Sequence, residues 1–191
     1  MGAKETFKEL MTGISRNGIE NLAAYLEEQS DFYTAPSSTK YHLCVPGGLV
    51  QHSLNVHKLL AHKEKAYKLG IDPETILVAS LFHDICKVNF YGTDTRNVKE
   101  NGQWVQKQIY VVKDQFPIGH GEKSVIMLQN FITLTEEEQL AIRWHMGPFT
   151  EGFDSFPLSQ AYYAACKKTK LVPALFAADY EASQIFESEG E

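Results

Sequence analysis

The segment 81–87 places two ionisable residues, His83 and Asp84, side by side at the end of a strongly apolar run. Two such side chains entering a buried segment are costly unless something compensates for their burial. A bound divalent metal is the usual compensation, because imidazole and carboxylate together suit such ions. One pair offers too few ligands, so this hypothesis requires further histidines and carboxylates elsewhere in the chain.

Residues of these types do recur at or near predicted helix ends or cores, and they are His52, His120, His145 and Asp179. His52 follows Gly47-Gly48 near a helix start. His57 and His62 would point about 140° and 280° away from it around the helix, so the three cannot face one site. We therefore take His52 as the candidate, His57 and His62 as solvated or packing residues, and the lone His42 of loop 31–48 as a surface residue.

The surroundings of the later candidates add to the pattern. Glycines flank His120 and permit close approach of the backbone. Asp179 follows two alanines on a buried-looking helix face, where an unpaired carboxylate would be expensive, so we expect it to have a partner. Lys87 shares the face of His83 and Asp84. It could complement a helix dipole, but we prefer a cation that meets an anionic substrate oxygen beside the metal.

The elements that must position these residues are mostly helices. Hydrophobic periodicity, caps and breakers predict helices at about 4–14, 19–29, 49–69, 73–84, 124–131, 136–145, 158–168 and 172–187. The helix beginning after Asp72-Pro73 is apolar nearly all round and is predicted to be the central buried helix. Thr135 and Glu138 predict a capping box. The acidic tail 187–191 is expected to fray.

One segment, about residues 94–112, has a different pattern. Strand formers surround Asn101-Gly102, the preferred dipeptide of a two-residue hairpin turn. We predict a β-hairpin inserted between helices. Because it lies between two candidate ligand segments, it could form a lid or one wall of a substrate pocket, and the alternative is an edge decoration.

Length and composition set the frame for this chemistry. A chain of 191 residues is most simply one domain, and we predict one over 1–191, with N-terminal helices in 1–45 packed on a core of 46–187. The net charge of −6 argues against bulk nucleic-acid binding. Neither a bilayer-spanning run nor a signal peptide is recognised. Three widely separated cysteines are typical of reduced thiols, so we expect a cytoplasmic protein and leave its oligomeric state open.

As a set, these motifs resemble the HD-domain metal-dependent phosphohydrolases. The matching segments lie within roughly 45–185 and are Gly48-Leu49-Val50-Gln51-His52-Ser53, Leu81-Phe82-His83-Asp84-Ile85-Cys86-Lys87, Gly119-His120, Trp144-His145 and Ala177-Ala178-Asp179. The chain looks most similar to the helical HD module of bacterial 3′–5′ exoribonucleases without their nucleic-acid-binding domain. Many two-metal members carry adjacent histidines where this chain has Trp144-His145. The implied fold is an all-α HD-type bundle with the hairpin inserted.

The resemblance also implies a ligand allocation. One divalent ion would take His52, His83, Asp84 and Asp179, and a second would take Asp84, His120 and His145, so Asp84 would bridge. The ions (Fe, Mn, Ni, Zn or Co, with Mg also possible, and one or two in number) would activate a water that attacks a phosphate ester. Asp84 and Lys87 would be the catalytic residues, with Lys87 contacting the phosphate. The substrate would be a small phosphate ester or a short nucleic acid.

Two other functions share this pattern. Di-iron oxygenases such as inositol oxygenase use the HD scaffold with the same six ligands and a lysine after the His-Asp pair, and they act on small polar, phosphonate or polyol substrates. The ligand set alone does not separate the two chemistries, and hydrolysis is preferred because phosphohydrolases are far more numerous in the family. The third alternative is a non-catalytic metal-binding module.

Overall fold

A computed structural model describes residues 2–100 and 102–188. Within them the chain forms eight α-helices: α1 Ala3–Met11, α2 Ile19–Glu28, α3 Gly48–Tyr67, α4 Pro73–Phe82, α5 His120–Gln129, α6 Glu136–Arg143, α7 Phe156–Lys168 and α8 Leu171–Glu181. Two strands, β1 Tyr91–Glu100 and β2 Gln103–Val112, form one antiparallel pair between α4 and α5. The predicted fold class, an all-α bundle with a small inserted hairpin, is confirmed.

Helix α4 lies between two hydrophobic clusters. Val78, Leu81 and Phe82 belong to a cluster shared with α1, α2, α5 and the start of α3. Ile76 and Ala79 belong to the other cluster, which α6, α7, α8 and the rest of α3 complete. A helix that is apolar nearly all round must be covered on both sides, so the prediction of a central buried helix is confirmed. The C-terminal end of α4 places His83 and Asp84 in the interior.

A buried ion pair joins the N-terminal segment to the bundle. Both Nη atoms of Arg16 lie 2.6 Å from the two carboxylate oxygens of Glu138, whose side chain is fully buried. Nε of Arg16 donates to Glu74 at the start of α4. Glu138 also closes the predicted capping box with Thr135, which is confirmed. The division into residues 1–45 and a core of 46–187 stays a prediction, and α1 packs on α3 and α4.

The hairpin is longer than predicted at its N-terminal end, since β1 pairs from Tyr91 opposite Val112. Gly102 has φ of +83°, as a primed hairpin turn requires, whereas Asn101 lies outside the described residues. The outer parts of both strands are exposed, but the base of the hairpin reaches the bundle: the Tyr91 hydroxyl donates to the carbonyl of Ser37.

Two other predicted helix boundaries were wrong by four residues or more. Helix α5 begins at His120, four residues before the expected start, so this histidine is the first helical residue. Helix α8 ends at Glu181 and continues as a π-helical turn, Ala182–Phe186, where an α-helix to 187 was expected. Two short 3₁₀ turns, Ile85–Lys87 and Gly147–Phe149, follow α4 and α6. Along the described ranges 2–100 and 102–188, no helix has the length and apolar character needed to cross a bilayer.

Candidate metal centre

The six predicted ligand residues converge on one buried place. His52 lies near the start of α3, His83-Asp84 directly follows α4, His120 opens α5, His145 follows α6, and Asp179 lies in α8. Four of them, His52, His83, Asp84 and His145, are almost fully buried. The neighbouring ring centroids of the four imidazoles are 5.0–5.2 Å apart, so the rings form a continuous row.

Asp84 stands in the middle of this row, and its two oxygens have different neighbours. Oδ1 lies 2.8 Å from His120 Nε2 and 3.4 Å from His145 Nε2. Oδ2 lies 3.5 Å from the Nε2 atoms of both His52 and His83. The carboxylate therefore separates the imidazoles into the same two pairs as the ligand allocation that the resemblance implies.

Asp179 completes the Oδ2 side of the centre. Its Oδ1 lies 3.1 Å from His52 Nε2 and 3.9 Å from His83 Nε2. The expectation that this carboxylate has a partner is confirmed. With the two Nε2 atoms 3.2 Å apart, four nitrogen and oxygen atoms face a common point on this side.

The backbone fixes which ring nitrogen faces the centre. His83 Nδ1 donates to the carbonyl of Ser80 at 2.9 Å, and His145 Nδ1 donates to the carbonyl of Ile142 at 2.7 Å. A carbonyl only accepts, so the neutral form of each ring presents an unprotonated Nε2 to the centre. His145 Nε2 is buried without a hydrogen-bond partner. This orphaned lone pair beside imidazoles and carboxylates fits a divalent transition metal ion.

Burial and charge set the protonation of the centre. Burial disfavours charge on His52, but the carboxylates of Asp179 and Glu187 outweigh it and raise the pKa of His52 to about 9. For His83 burial prevails and lowers the pKa to about 4. Burial also acts against the charged form of Asp84, yet Lys87 and the imidazoles hold the pKa of this carboxyl well below its usual value. The proton between the two facing imidazoles therefore belongs to His52.

Lys87 lies against the centre. Its Nζ donates to Asp84 Oδ2 at 2.6 Å, and its side chain is only 13 % exposed. Burial opposes the charge on Lys87, but the neighbouring carboxylate prevails and raises the pKa of the ammonium above its usual value. The ammonium therefore contacts an ionised carboxylate of the centre.

The centre opens onto a cavity of about 1280 Å³. Asp84, Lys87, His120, His145 and Asp179 line its inner part. Other walls come from the loop 37–45, from the base of the hairpin at 90–91 and 112, and from the aromatic residues Phe149, Phe176 and Tyr180. The base of the hairpin thus contributes one wall, while most side chains in its outer part are exposed.

Three contacts at the centre were not expected from the sequence. His42 is half-buried, with an inaccessible Nε2 and its ring centroid 5.0 Å from that of His52, so the prediction of a surface residue was wrong. Glu187 is buried and lies 2.9 Å from His52 Nδ1, so fraying of the tail was wrong at this residue, and residues 189–191 lie outside the described ranges. Cys86 Sγ lies 3.3 Å from His120 Nδ1.

The sequence around these three residues does not indicate that they lie at the centre. His42 stands in an irregular loop and Cys86 lies between Ile85 and Lys87, whereas Glu187 differs from other tail acids only in following Ile185-Phe186. His57 and His62 behave as predicted: His57 Nδ1 pairs with Ser80 Oγ and His62 is exposed.

Ligand-type atoms of His52, His83 and Asp84 lie close enough together to share an ion. A helical bundle with such a buried cluster of imidazoles and carboxylates is typical of metal-binding helical proteins. The family model described as HD domain matches residues 49–183, and the chain belongs to this family. The matched range includes all six predicted ligands but neither His42 nor Glu187. No curated protein and no solved structure gives a significant match.

Membership places the chain in the metal-dependent phosphohydrolase superfamily, and the His/Asp cluster supports a divalent metal as its cofactor. The recognised resemblance to this superfamily is thereby confirmed.

Proposed function

We propose that this chain hydrolyses phosphate esters of nucleotides or short oligonucleotides at the centre around Asp84. The observation that carries the proposal is that this centre, with Lys87 beside it, lines the inner part of a wide cavity with aromatic walls. The centre supplies ligands for divalent ions, the lysine supplies a cation for a phosphate, and the aromatic residues supply surfaces for a base.

The proposed ligands form two groups, one around each carboxylate oxygen of Asp84. His52, His83, Asp84 and Asp179 would hold one ion, and Asp84, His120 and His145 would hold a second. Divalent ions in such a setting supply Lewis acidity, which lowers the pKa of water and withdraws charge from a phosphoryl oxygen. Ser80 and Ile142 keep two of the imidazoles in the tautomer that binding requires, through their backbone carbonyls.

Lys87 is the proposed phosphate contact. Its raised pKa keeps it charged at neutral pH, and its Nζ is already held at Asp84 Oδ2. An ammonium in this position offsets negative charge on a phosphate oxygen as the ester bond breaks, and it does so most strongly where water is excluded. We assign Lys87 a role in turnover and none in metal binding.

The cavity favours a substrate larger than a polyol. Ligand pockets for drug-sized molecules are about 300–1,000 Å³, and this cavity is about 1280 Å³. The rings of Phe149 and Tyr180 are stacked, with their centroids 5.6 Å apart and an interplanar angle of 8°, and Phe149 is 62 % exposed. A flat apolar surface of this kind accepts a base by stacking. Both features favour hydrolysis of a nucleotide over oxygenation of a small polyol.

A reconstitution screen tests the proposal. Metal-stripped protein is loaded separately with Mn²⁺, Ni²⁺, Co²⁺, Zn²⁺, Fe²⁺ or Mg²⁺, and products are measured on mononucleotides, cyclic nucleotides and short RNA. Ribose 5-phosphate serves as the matched substrate without a base. We expect metal-dependent hydrolysis that is faster on the nucleotide than on the sugar phosphate, and that is lost in Asp84→Ala.

The same preparation separates the alternatives. Oxygen consumption by the reduced iron form, with no hydrolysis of any ester, would identify the oxygenase. A protein that binds metal without either activity would be the non-catalytic module. A protein that binds no divalent metal at all would overturn the proposed centre itself.

A further inference from the structure

The four imidazoles of the centre are held at Nδ1 by different partners. His83 and His145 use the backbone carbonyls described above, and His120 lies against the sulfur of Cys86. For His52 the partner is a carboxylate: its Nδ1 lies 3.0 and 2.9 Å from the two oxygens of Glu187. His52 is therefore held differently from the other three rings.

Glu187 is itself held for this contact. Its side chain is 1 % exposed, and Asn55 Nδ2 donates to its Oε1 at 2.8 Å. Asn55 lies one turn after His52 on α3, so the amide and the imidazole approach the same carboxylate from one helix face. A buried carboxylate is costly unless it is paired and hydrogen-bonded, and both partners here come from α3.

The π-helical turn explains how Glu187 reaches this position. In an uninterrupted α-helix, residue 187 would lie about 80° around the axis from Asp179. The wider turn at 182–186 advances less per residue, and Glu187 N closes it by donating to the carbonyl of Ala182 at 3.1 Å. His52 thereby lies between two carboxylates of the same C-terminal segment, Asp179 at Nε2 and Glu187 at Nδ1.

We propose that Glu187 is a positioning residue of the metal centre, which orients His52 and fixes its Nδ1–H tautomer so that Nε2 faces the ion. A carboxylate behind a metal-binding imidazole also increases its basicity as a ligand. Glu187 lies beyond the range 49–183 that the family model matches, so this contact is a property of this chain's own C-terminal segment. The inference rests on the proposed metal centre but not on the identity of the substrate.

Cobalt(II) binding tests the inference without any use of activity. Metal-stripped wild type, Glu187→Gln and Glu187→Ala are titrated with Co²⁺, and both the dissociation constants and the visible absorption spectrum are recorded. We expect Glu187→Ala to weaken one Co²⁺ site by about 10–100-fold and to change its spectrum. Glu187→Gln should lose less Co²⁺ affinity, because its amide oxygen still accepts a hydrogen bond from His52 Nδ1.

Ser188→Ala is the matched control, since its hydroxyl donates to the carbonyl of Gln184 in the same segment. We expect its Co²⁺ affinity and spectrum to equal those of the wild type. Thermal unfolding of the metal-free forms shows whether a variant is folded, and if Glu187→Ala does not fold, the isosteric Glu187→Gln decides the question.

Two results would overturn the inference. Unchanged affinity and spectrum in a folded Glu187 variant would mean that His52 does not depend on Glu187. Loss of one whole Co²⁺ equivalent with the other sites unchanged would make Glu187 a ligand, together with His42 and His52. Failure of the wild type to bind Co²⁺ would instead overturn the proposed function, so the two failures are distinguishable.

Discussion

The Nε2 atoms of His52 and His83 face each other at 3.2 Å in the buried centre. Both rings use Nδ1 for a hydrogen bond to another partner, Glu187 or the Ser80 carbonyl, so neither can turn away without losing that bond. Two lone pairs at this distance would repel. A proton on His52 resolves the conflict in the metal-free protein, and a shared cation would resolve it in the loaded one.

Metal binding should therefore displace protons. The pKa of His52 is about 9, and that of His120 is raised to about 10, because the sulfur of Cys86 and the Asp84 carboxylate outweigh the effect of burial. His83, with a pKa of about 4, is already neutral at pH 6. Below these pKa values, an ion on the His52 side of Asp84 must expel the proton of His52, and an ion on the other side must expel that of His120. Above them these protons are already lost.

We expect the apparent affinity to rise with pH between 6 and 8, by about tenfold per unit for each ion that releases one proton. Calorimetric titration in two buffers with different heats of ionisation counts the protons directly. Affinity independent of pH over this range would contradict the assigned protonation of the two histidines.

Asp84→Ala should abolish binding at both proposed metal sites, because each oxygen of this carboxylate faces a different pair of imidazoles. Metal content per chain, measured after dialysis, is the test. Asp154→Ala removes an exposed carboxylate and is the control. Two retained ions per chain in a folded Asp84→Ala protein would show that the bridging assignment is wrong.

Lys87→Ala should leave the metal content unchanged and lower turnover by about 100-fold, because it would remove the cation that we propose for the substrate phosphate and no proposed metal ligand. Steady-state rates and metal content are measured on the same sample. Lys65→Ala, on the exposed side of α3, is the control. Unchanged turnover would return Lys87 to the role of a cation at a helix end.

Gly121→Ala should disturb the His120 side of the centre. A Cβ at this position would overlap the carbonyl oxygen of Arg143, so α5 would have to move away from the end of α6. We expect a loss of about 1–3 kcal/mol in the free energy of unfolding and weaker binding of the ion near His120 and His145. Urea unfolding and metal titration measure both, with the exposed Gln129→Ala as control. A Gly121→Ala protein as stable as the wild type would show that α5 and α6 can move apart without loss of stability.

Arg16→Ala should destabilise the fold without altering the centre. It removes the cation that pairs with the buried Glu138, and removing one partner of a buried pair costs about 3–5 kcal/mol. Denaturant unfolding measures the change. Lys4→Ala, which removes an exposed ion pair with Glu27, should have little effect. Equal stability of the two variants would mean that the Arg16 pair contributes little.

Much of the fold and the ligand set follows from local patterns in the sequence. The apolar character of α4 determined that the helix is central, and Thr135 with Glu138 determined where α6 begins, because periodicity and capping act over a few residues. The ligand types of the six centre residues were recognisable one segment at a time. Their convergence was a hypothesis until the helices were placed.

Only the tertiary structure decided which residues support these ligands. Glu187 and His52 are 135 positions apart, and Arg16 and Glu138 are 122 apart. Neither pair has a spacing that periodicity can detect, since the partners meet only when separate helices pack. The π-helical turn that brings Glu187 inward likewise has no sequence signature that we recognised. The sequence determined that a His–Asp centre is available, and packing decided how each imidazole is held at it.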